Sequence, residues 1–179
     1  YSDDIIMFSN KEKFDENVVI LKEKINKKDL TINSEKEEII KPNNEWTFLG
    51  FRYCNEKIDV SKIAIKKIKG KIKKTARKIR RWMIKKDASE ERAIKAMIRK
   101  FNKKFYDING NNEELTWSRW YFPIINITYG LNIIDQYMQQ YLRYIATGKH
   151  NKKNYEKVTY KNLKEWGYKP LVSEYWKYK

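Results

Sequence analysis

Tyr1-Ser2-Asp3-Asp4, running into the apolar stretch Ile5-Ile6-Met7-Phe8, holds the most evident chemical capacity in the chain. Two adjacent carboxylates at a turn between strands make a poor apolar core, and their hard oxygens suit a divalent ion such as Mg²⁺. In phosphoryl transfer such ions hold the attacking and leaving oxygens. The plain alternative is a solvated turn, because Asp is a favoured turn residue. Lys36 poses the same choice: a compact ammonium can stabilise charge on a phosphate, yet in a lysine-rich chain a solvated surface residue is its ordinary reading. Gly50, beside Phe48 and Leu49, reads either as a bulge or twist in a strand or as a point where a nucleic-acid backbone comes close.

These residues need elements to position them. Ser9-Asn10 reads as a helix N-cap, and Phe14, Val18, Leu21 and Ile25 follow at helical spacing to about Lys28. Leu30 to Asn33 and Glu38 to Lys41 read as short extended pieces, and Pro42-Asn43-Asn44 as a turn. Trp46 to Tyr53 reads as one aromatic-rich strand, which Asn55-Glu56-Lys57 turns into Ile58-Asp59-Val60 to give a hairpin. Cys54 is the single cysteine, which excludes an internal disulfide and a multi-cysteine zinc site and fits a reducing, cytoplasmic setting.

The composition changes at Ser61. From Lys62 to Lys86 every charged residue is Lys or Arg, while Ile65, Ile68, Ile72, Ala76, Ile79 and Met83 recur at helical spacing. This predicts a helix with one packed stripe and a basic remainder. A merely solvated face usually mixes both signs, so the missing carboxylates point to phosphate contact, with Lys67, Lys74, Arg77 and Arg81 furthest from the stripe. The formal net charge of +17 agrees with a polyanionic partner, and no apolar run is long enough for a spanning helix.

Asp87-Ala88-Ser89-Glu90 reads as a capping box for a helix whose apolar face is Ile94, Met97, Ile98, Phe101 and Phe105. Asp107 to Asn112 reads as a loop, and Trp117 to Pro123 as an aromatic segment better suited to core than to base stacking. Leu131, Ile134, Met138, Tyr141 and Ile145 mark a further helix that Thr147-Gly148 ends. Lys149 to Tyr155 is a basic, polar loop with the only His, a candidate for phosphate or RNA contact rather than catalysis. Two short helices follow, around Leu163 and around Leu171 to Trp176.

Tyr1-Ser2-Asp3-Asp4 before an apolar run resembles the Tyr-x-Asp-Asp signature of reverse transcriptases, whose aspartates sit at a β-hairpin turn in the palm. In the same order, Leu30 to Lys36 is similar to the palm segment with the family's lysine, and Trp46 to Phe51 to the hairpin called the primer grip. The resemblance is close over residues 1–60 and looser beyond, where it extends to a helical thumb and to the C-terminal tail of some bacterial enzymes.

The fold this resemblance implies is α+β. A partial antiparallel palm sheet with one helix occupies residues 1–60, a helical-bundle thumb 61–147, and a short, basic helical extension 148–179. The activity it implies is RNA-directed DNA polymerisation by two-metal nucleotidyl transfer. Asp3, and more weakly Asp4, would hold two Mg²⁺ ions together with an aspartate upstream of Tyr1. Tyr1 and Ser2 would border the primer end, Phe48, Leu49 and Gly50 would place its hydroxyl, and Lys36 would lie near the incoming triphosphate. The implied partners are an RNA template and DNA primer or RNA–DNA duplex, a deoxynucleoside triphosphate, and the N-terminal fingers and palm half of the same enzyme; no membrane is implied. Because the sequence opens on Tyr inside the motif, a C-terminal portion inactive alone is expected. Two other functions compete: an RNA-dependent RNA polymerase, whose turn is more often Gly-Asp-Asp, and a non-catalytic RNA-binding module derived from a polymerase.

Overall fold

The computed structural model describes residues 4–106 and 115–179, which divide into two compact units, one ending at Asn44 and one running from Glu45 to Lys179. The first contains a 3-10 turn at Lys11–Lys13, helix α1 (Phe14–Asn26) and a 3-10 turn at Ser34–Lys36. Helix α1 begins near the expected point, but Asn10 offers no side-chain cap; Ser9 Oγ instead accepts from Asn17 Nδ2 at 2.8 Å. The expected extended pieces differ. Residues 4–10, 30–33 and 38–41 form no strand, because a strand needs a neighbour for its N–H and C=O groups and no described residue supplies one.

The second unit opens with a three-stranded antiparallel sheet in the order β1 (Trp46–Phe48), β2 (Phe51–Cys54), β3 (Lys57–Val60). The single strand expected from Trp46 to Tyr53 is thus two strands. Phe48 pairs with Phe51 across a two-residue turn in which Leu49 has φ +48° and Gly50 φ +88°. Cys54 pairs with Lys57 across a second such turn, with Asn55 at φ +46° and Glu56 at +62°. Two consecutive left-handed residues match the right-handed twist of the flanking strands, which is why so short a loop suffices.

Helix α2 (Lys62–Lys85) starts where Ser61 Oγ accepts from the Ala64 N–H at 3.2 Å. Its expected stripe is the packed face: Ile68, Ile72, Ala76 and Met83 are buried, and Ile65 and Ile79 lie against the same core. The turn to α3 (Glu90–Phe105) corrects the expected capping box. Asp87 is left-handed and terminates α2, with the Ala88 N–H donating to Met83 O at 3.0 Å, while Ser89 caps α3 by accepting from the Arg92 N–H. Helix α4 (Trp117–Tyr121) sets its aromatics into the core as expected, Trp117 lying 4.5 Å from Tyr121.

Helix α5 (Tyr129–Thr147) packs on α2 and α3 and ends at Gly148, whose φ of +74° forms the left-handed cap. Helices α6 (Asn154–Lys157), α7 (Tyr160–Glu165) and α8 (Leu171–Tyr178) complete the chain. They belong to the same core, with Leu163, Tyr168, Leu171 and Tyr175 all buried. The hairpin joins it too: Asn126 donates to Glu56 O and accepts from the Ile58 N–H, and Val60 is buried. The chain divides into compact units at Asn44/Glu45, and within the second unit the strands and the last helices bury apolar faces in the core that α2, α3 and α5 share. The architecture is α+β, with a three-stranded antiparallel sheet and mainly helical remainder.

Candidate nucleic-acid interface

Helix α2 separates two kinds of cation. Lys67, Lys74, Arg77 and Arg81 are all exposed, because burying the Ile68–Ile72–Ala76–Met83 stripe turns the opposite side to solvent. Lys69 and Arg80 are used internally. Lys69 Nζ lies 4.8 Å from the centre of the Tyr137 ring, and Arg80 Nη1 donates to Ile145 O at 2.7 Å, where it satisfies a carbonyl in the last turn of α5. A Cβ on Gly148 would lie 2.5 Å from that guanidinium, so glycine here serves both the left-handed cap and the approach of Arg80.

Between α2 and α5 lies a groove of about 480 Å³, lined by Lys62, Lys66, Lys69, Gly70 and Tyr137 among others. A Cβ on Gly70 would meet nothing within 4 Å, so the helix backbone is bare at this point. The sequence reading missed Lys62, Lys66 and Lys69 as a set. Their spacing, i, i+4 and i+7, was the signal that they share a side of the helix. Elsewhere on α2, burial and then the charge of Lys71 push the ammonium of Lys104, on α3, below its ordinary value.

The β1–β2 turn displays Phe48, Leu49 and Gly50, all half-buried. Leu49 O accepts from Trp120 Nε1 at 3.4 Å, Gly50 O accepts from the Ser61 N–H at 2.8 Å, and Phe51 packs 5.1 Å from Tyr121. Gly50 is a turn residue and not the bulge or twist expected inside a strand. A Cβ there would lie 2.7 Å from Tyr121 Oη, so packing as well as φ demands glycine. At the other end of the sheet, Glu45 accepts from Arg52 at 3.0 Å and pairs with Lys62 at 3.4 Å, and these cations hold its carboxyl below the usual range.

Tyr1, Ser2 and Asp3 lie outside the described residues. Asp4 is exposed in an irregular segment, and Lys36 is exposed at the end of a 3-10 turn that Asn33 Oδ1 caps by accepting from the Glu35 N–H at 3.0 Å. Among the described residues no group of three or more His, Cys, Asp or Glu is placed to hold a metal. The buried aspartates are occupied otherwise. Asp59 accepts from the Val60 and Gly130 N–H groups, and Asp135 from the Leu171 and Val172 N–H groups and Tyr168 Oη. No described helix is long and apolar enough to cross a membrane.

Cys54 is a free, half-buried thiol. What the described surface offers chemically is phosphate contact: exposed cations on one side of α2, a basic groove on another, and a hairpin tip set beside the aromatic core. Comparisons with protein-family models, with curated proteins and with solved structures returned no match.

Proposed function

We propose that the chain is the C-terminal palm and thumb portion of an RNA-directed DNA polymerase. The observation that carries this reading is the ordered set Tyr1-Ser2-Asp3-Asp4, Leu30 to Lys36 and Trp46 to Phe51, followed by an acid-free helix whose Lys67, Lys74, Arg77 and Arg81 face solvent. The two-residue turn at Leu49-Gly50 is compatible with a primer grip, since it presents backbone and small apolar surface at a hairpin tip.

The oxygen donors of Asp3 and Asp4 suit Mg²⁺, and the resemblance adds an aspartate from upstream of Tyr1. Bound there, the metal supplies charge neutralisation at the reacting phosphate. The chain's own residues position the nucleic acid. Phe48, Leu49 and Gly50 hold the primer end, Lys36 faces the triphosphate, and Lys67, Lys74, Arg77 and Arg81 contact the phosphates of an A-form-like duplex, which is recognised by backbone and shape more than by sequence.

Primer extension on an RNA template is the test, with the upstream half supplied in cis or as a second chain. Deoxynucleotide incorporation is expected, and Asp3→Ala should abolish it by removing a metal ligand. Lys36→Ala should slow nucleotide addition and leave template binding unchanged. A reconstituted enzyme that extends no primer yet binds RNA tightly would favour the non-catalytic RNA-binding module instead.

A further inference from the structure

Gly70 lies inside helix α2, and nothing within the described chain calls for a glycine there. Its φ is not left-handed, and a Cβ at this position would meet no atom within 4 Å. Gly50, Gly130 and Gly148 differ, since a Cβ on each would collide with a side chain. Inside a helix glycine is poorer than any residue but proline, because the unfolded chain gains entropy and no side chain is packed in return. The remaining use for bare backbone at this exposed point is the close approach of something outside the chain.

Gly70 opens into the groove between α2 and α5, and the other residues lining that groove describe the occupant. Ile65 and Ile133, both half-buried, give it an apolar lining, and Tyr129, 65% exposed, continues this row one turn toward the start of α5. Lys66 is exposed and Lys69 half-buried, while Lys62 keeps its side chain 81% exposed although Glu45 lies 3.4 Å from its ammonium. Among the described residues no carboxylate lines the groove. The occupant must therefore join an apolar strip to negative charge. A strand of unpaired nucleotides has the charge, but it gains much of its affinity by stacking bases on open aromatic rings. The one ring in the lining, Tyr137, is already engaged, with the Lys69 ammonium 4.8 Å from its centre and the Tyr141 ring 4.8 Å away. A duplex keeps its bases inside and offers the isoleucines only sugar and phosphate. A second copy of this chain carries a net charge of +17 and would set cations against cations.

We propose that this groove docks an acidic amphipathic helix of a partner protein. The apolar row of that helix lies on Ile65 and Ile133, its backbone crosses α2 at Gly70, and its carboxylates meet Lys62, Lys66 and Lys69. Helices pack with axes about 8 Å apart where the side chains between them are small, and a bare Gly70 permits that distance. From Lys62 to Gly70 the groove follows α2 for about 12 Å, a little over two turns, so a partner segment of about four turns covers it. The lysines choose the partner and its orientation, and the apolar row holds it in place. The groove uses neither Asp3 nor Lys36 nor the outward cations of α2, so it stands whether or not the polymerase reading does.

The test uses the full chain and three fluorescent probes: a helical peptide of about four turns with a row of Leu flanked by Glu, a shuffled peptide of the same composition, and a single-stranded oligouridylate of similar net charge. Anisotropy is read at about 0.15 M salt, where general attraction to a basic chain is screened. The amphipathic peptide should bind about tenfold more tightly than the shuffled one, because only it buries its Leu row. Gly70→Leu leaves the charge unchanged, meets no neighbour and favours the helix, so the melting temperature should hold or rise while peptide affinity falls about tenfold. Lys66→Glu, on an exposed side chain, should weaken the same peptide severalfold. Equal affinity for the two peptides would reduce the groove to general charge attraction and overturn the proposal. So would an absence of peptide binding, or peptide binding that Gly70→Leu leaves unchanged. Tighter binding of the oligouridylate than of the amphipathic peptide, lost in Gly70→Leu, would assign the groove to nucleic acid instead.

Discussion

At the scale of single residues, two buried aspartates act as helix caps supplied from a distance. Asp59, on β3, receives the Gly130 N–H at 2.9 Å in the first turn of α5, and a Cβ on Gly130 would collide with the carboxylate at 2.7 Å. Asp135, on α5, receives the Leu171 N–H at 2.8 Å and the Val172 N–H at 3.0 Å at the start of α8, where Pro170 can offer no side-chain cap. Burial raises the Asp135 carboxyl above its ordinary value, and its three hydrogen bonds draw it only partly back. The folded chain then keeps this proton at a pH where the unfolded chain has released it. The linked stability is present in full below the unfolded value of about 4 and is lost as pH rises through the folded value. Asp135→Asn offers one acceptor where two carboxylate oxygens served three donors, and should cost about 1–3 kcal/mol. Urea midpoints of both proteins across pH should show the gap widening toward acid. A gap that widens toward neutral pH instead would mean that the hydrogen bonds outweigh burial.

At the scale of elements, α2 shows how one helix serves two roles. Its apolar stripe follows the helical period, so packing alone decides which cations face solvent. Lys69 and Arg80 are committed to Tyr137 and to the end of α5, and changing them would confound binding with stability. Lys67, Lys74, Arg77 and Arg81 carry no such commitment to the core. With all four changed to Glu, far-UV circular dichroism should be little altered, whereas affinity for an RNA–DNA duplex should collapse. Each phosphate that is no longer neutralised should also flatten the dependence of log affinity on log salt by about one unit. Titrations at several salt concentrations read both effects. An unchanged affinity would show that the duplex does not use this face.

For the whole molecule, the two units differ in how they can be stable. No described residue of the first unit is buried, and Ile5, Phe8, Val19, Leu30 and Ile39 are each more than half exposed. From Glu45 on, one continuous core joins the sheet and the helices. Local opening is easiest where few apolar groups are buried. Limited proteolysis of the full chain should therefore cut first in residues 27–44 and leave a resistant product beginning near Glu45, as N-terminal sequencing or intact mass would report. Early cleavage inside α2 or α5 with the first unit intact would contradict this. Helices α6 to α8 should stay with the resistant product, since Tyr175 Oη donates to Ile125 O at 2.9 Å and Tyr106 Oη to Lys169 O at 2.9 Å.

Sequence by itself determined the features that depend on local periodicity: the stripe of α2, the faces of α3 and α5, the glycine stop at Gly148, and the acid-free charge of α2. These are fixed by side-chain spacing along one element, which a sequence displays directly. The turn at Leu49-Gly50 was hidden because Leu rarely adopts a positive φ, and here the packing of Trp120 and Tyr121 against the tip imposes it. The segments around Leu30 and Ile39 look extended by composition, but pairing is a property of two strands and cannot be read from one. The capping roles of Asp59 and Asp135 join residues 71 and 36 positions apart, and Arg143 and Asn154 are tied to the backbone at Val158 and Lys149. In sequence each is one more polar residue in a polar chain; burial, which the tertiary structure alone decides, makes an unmet hydrogen bond expensive and so turns an ordinary side chain into a cap or a tie between elements.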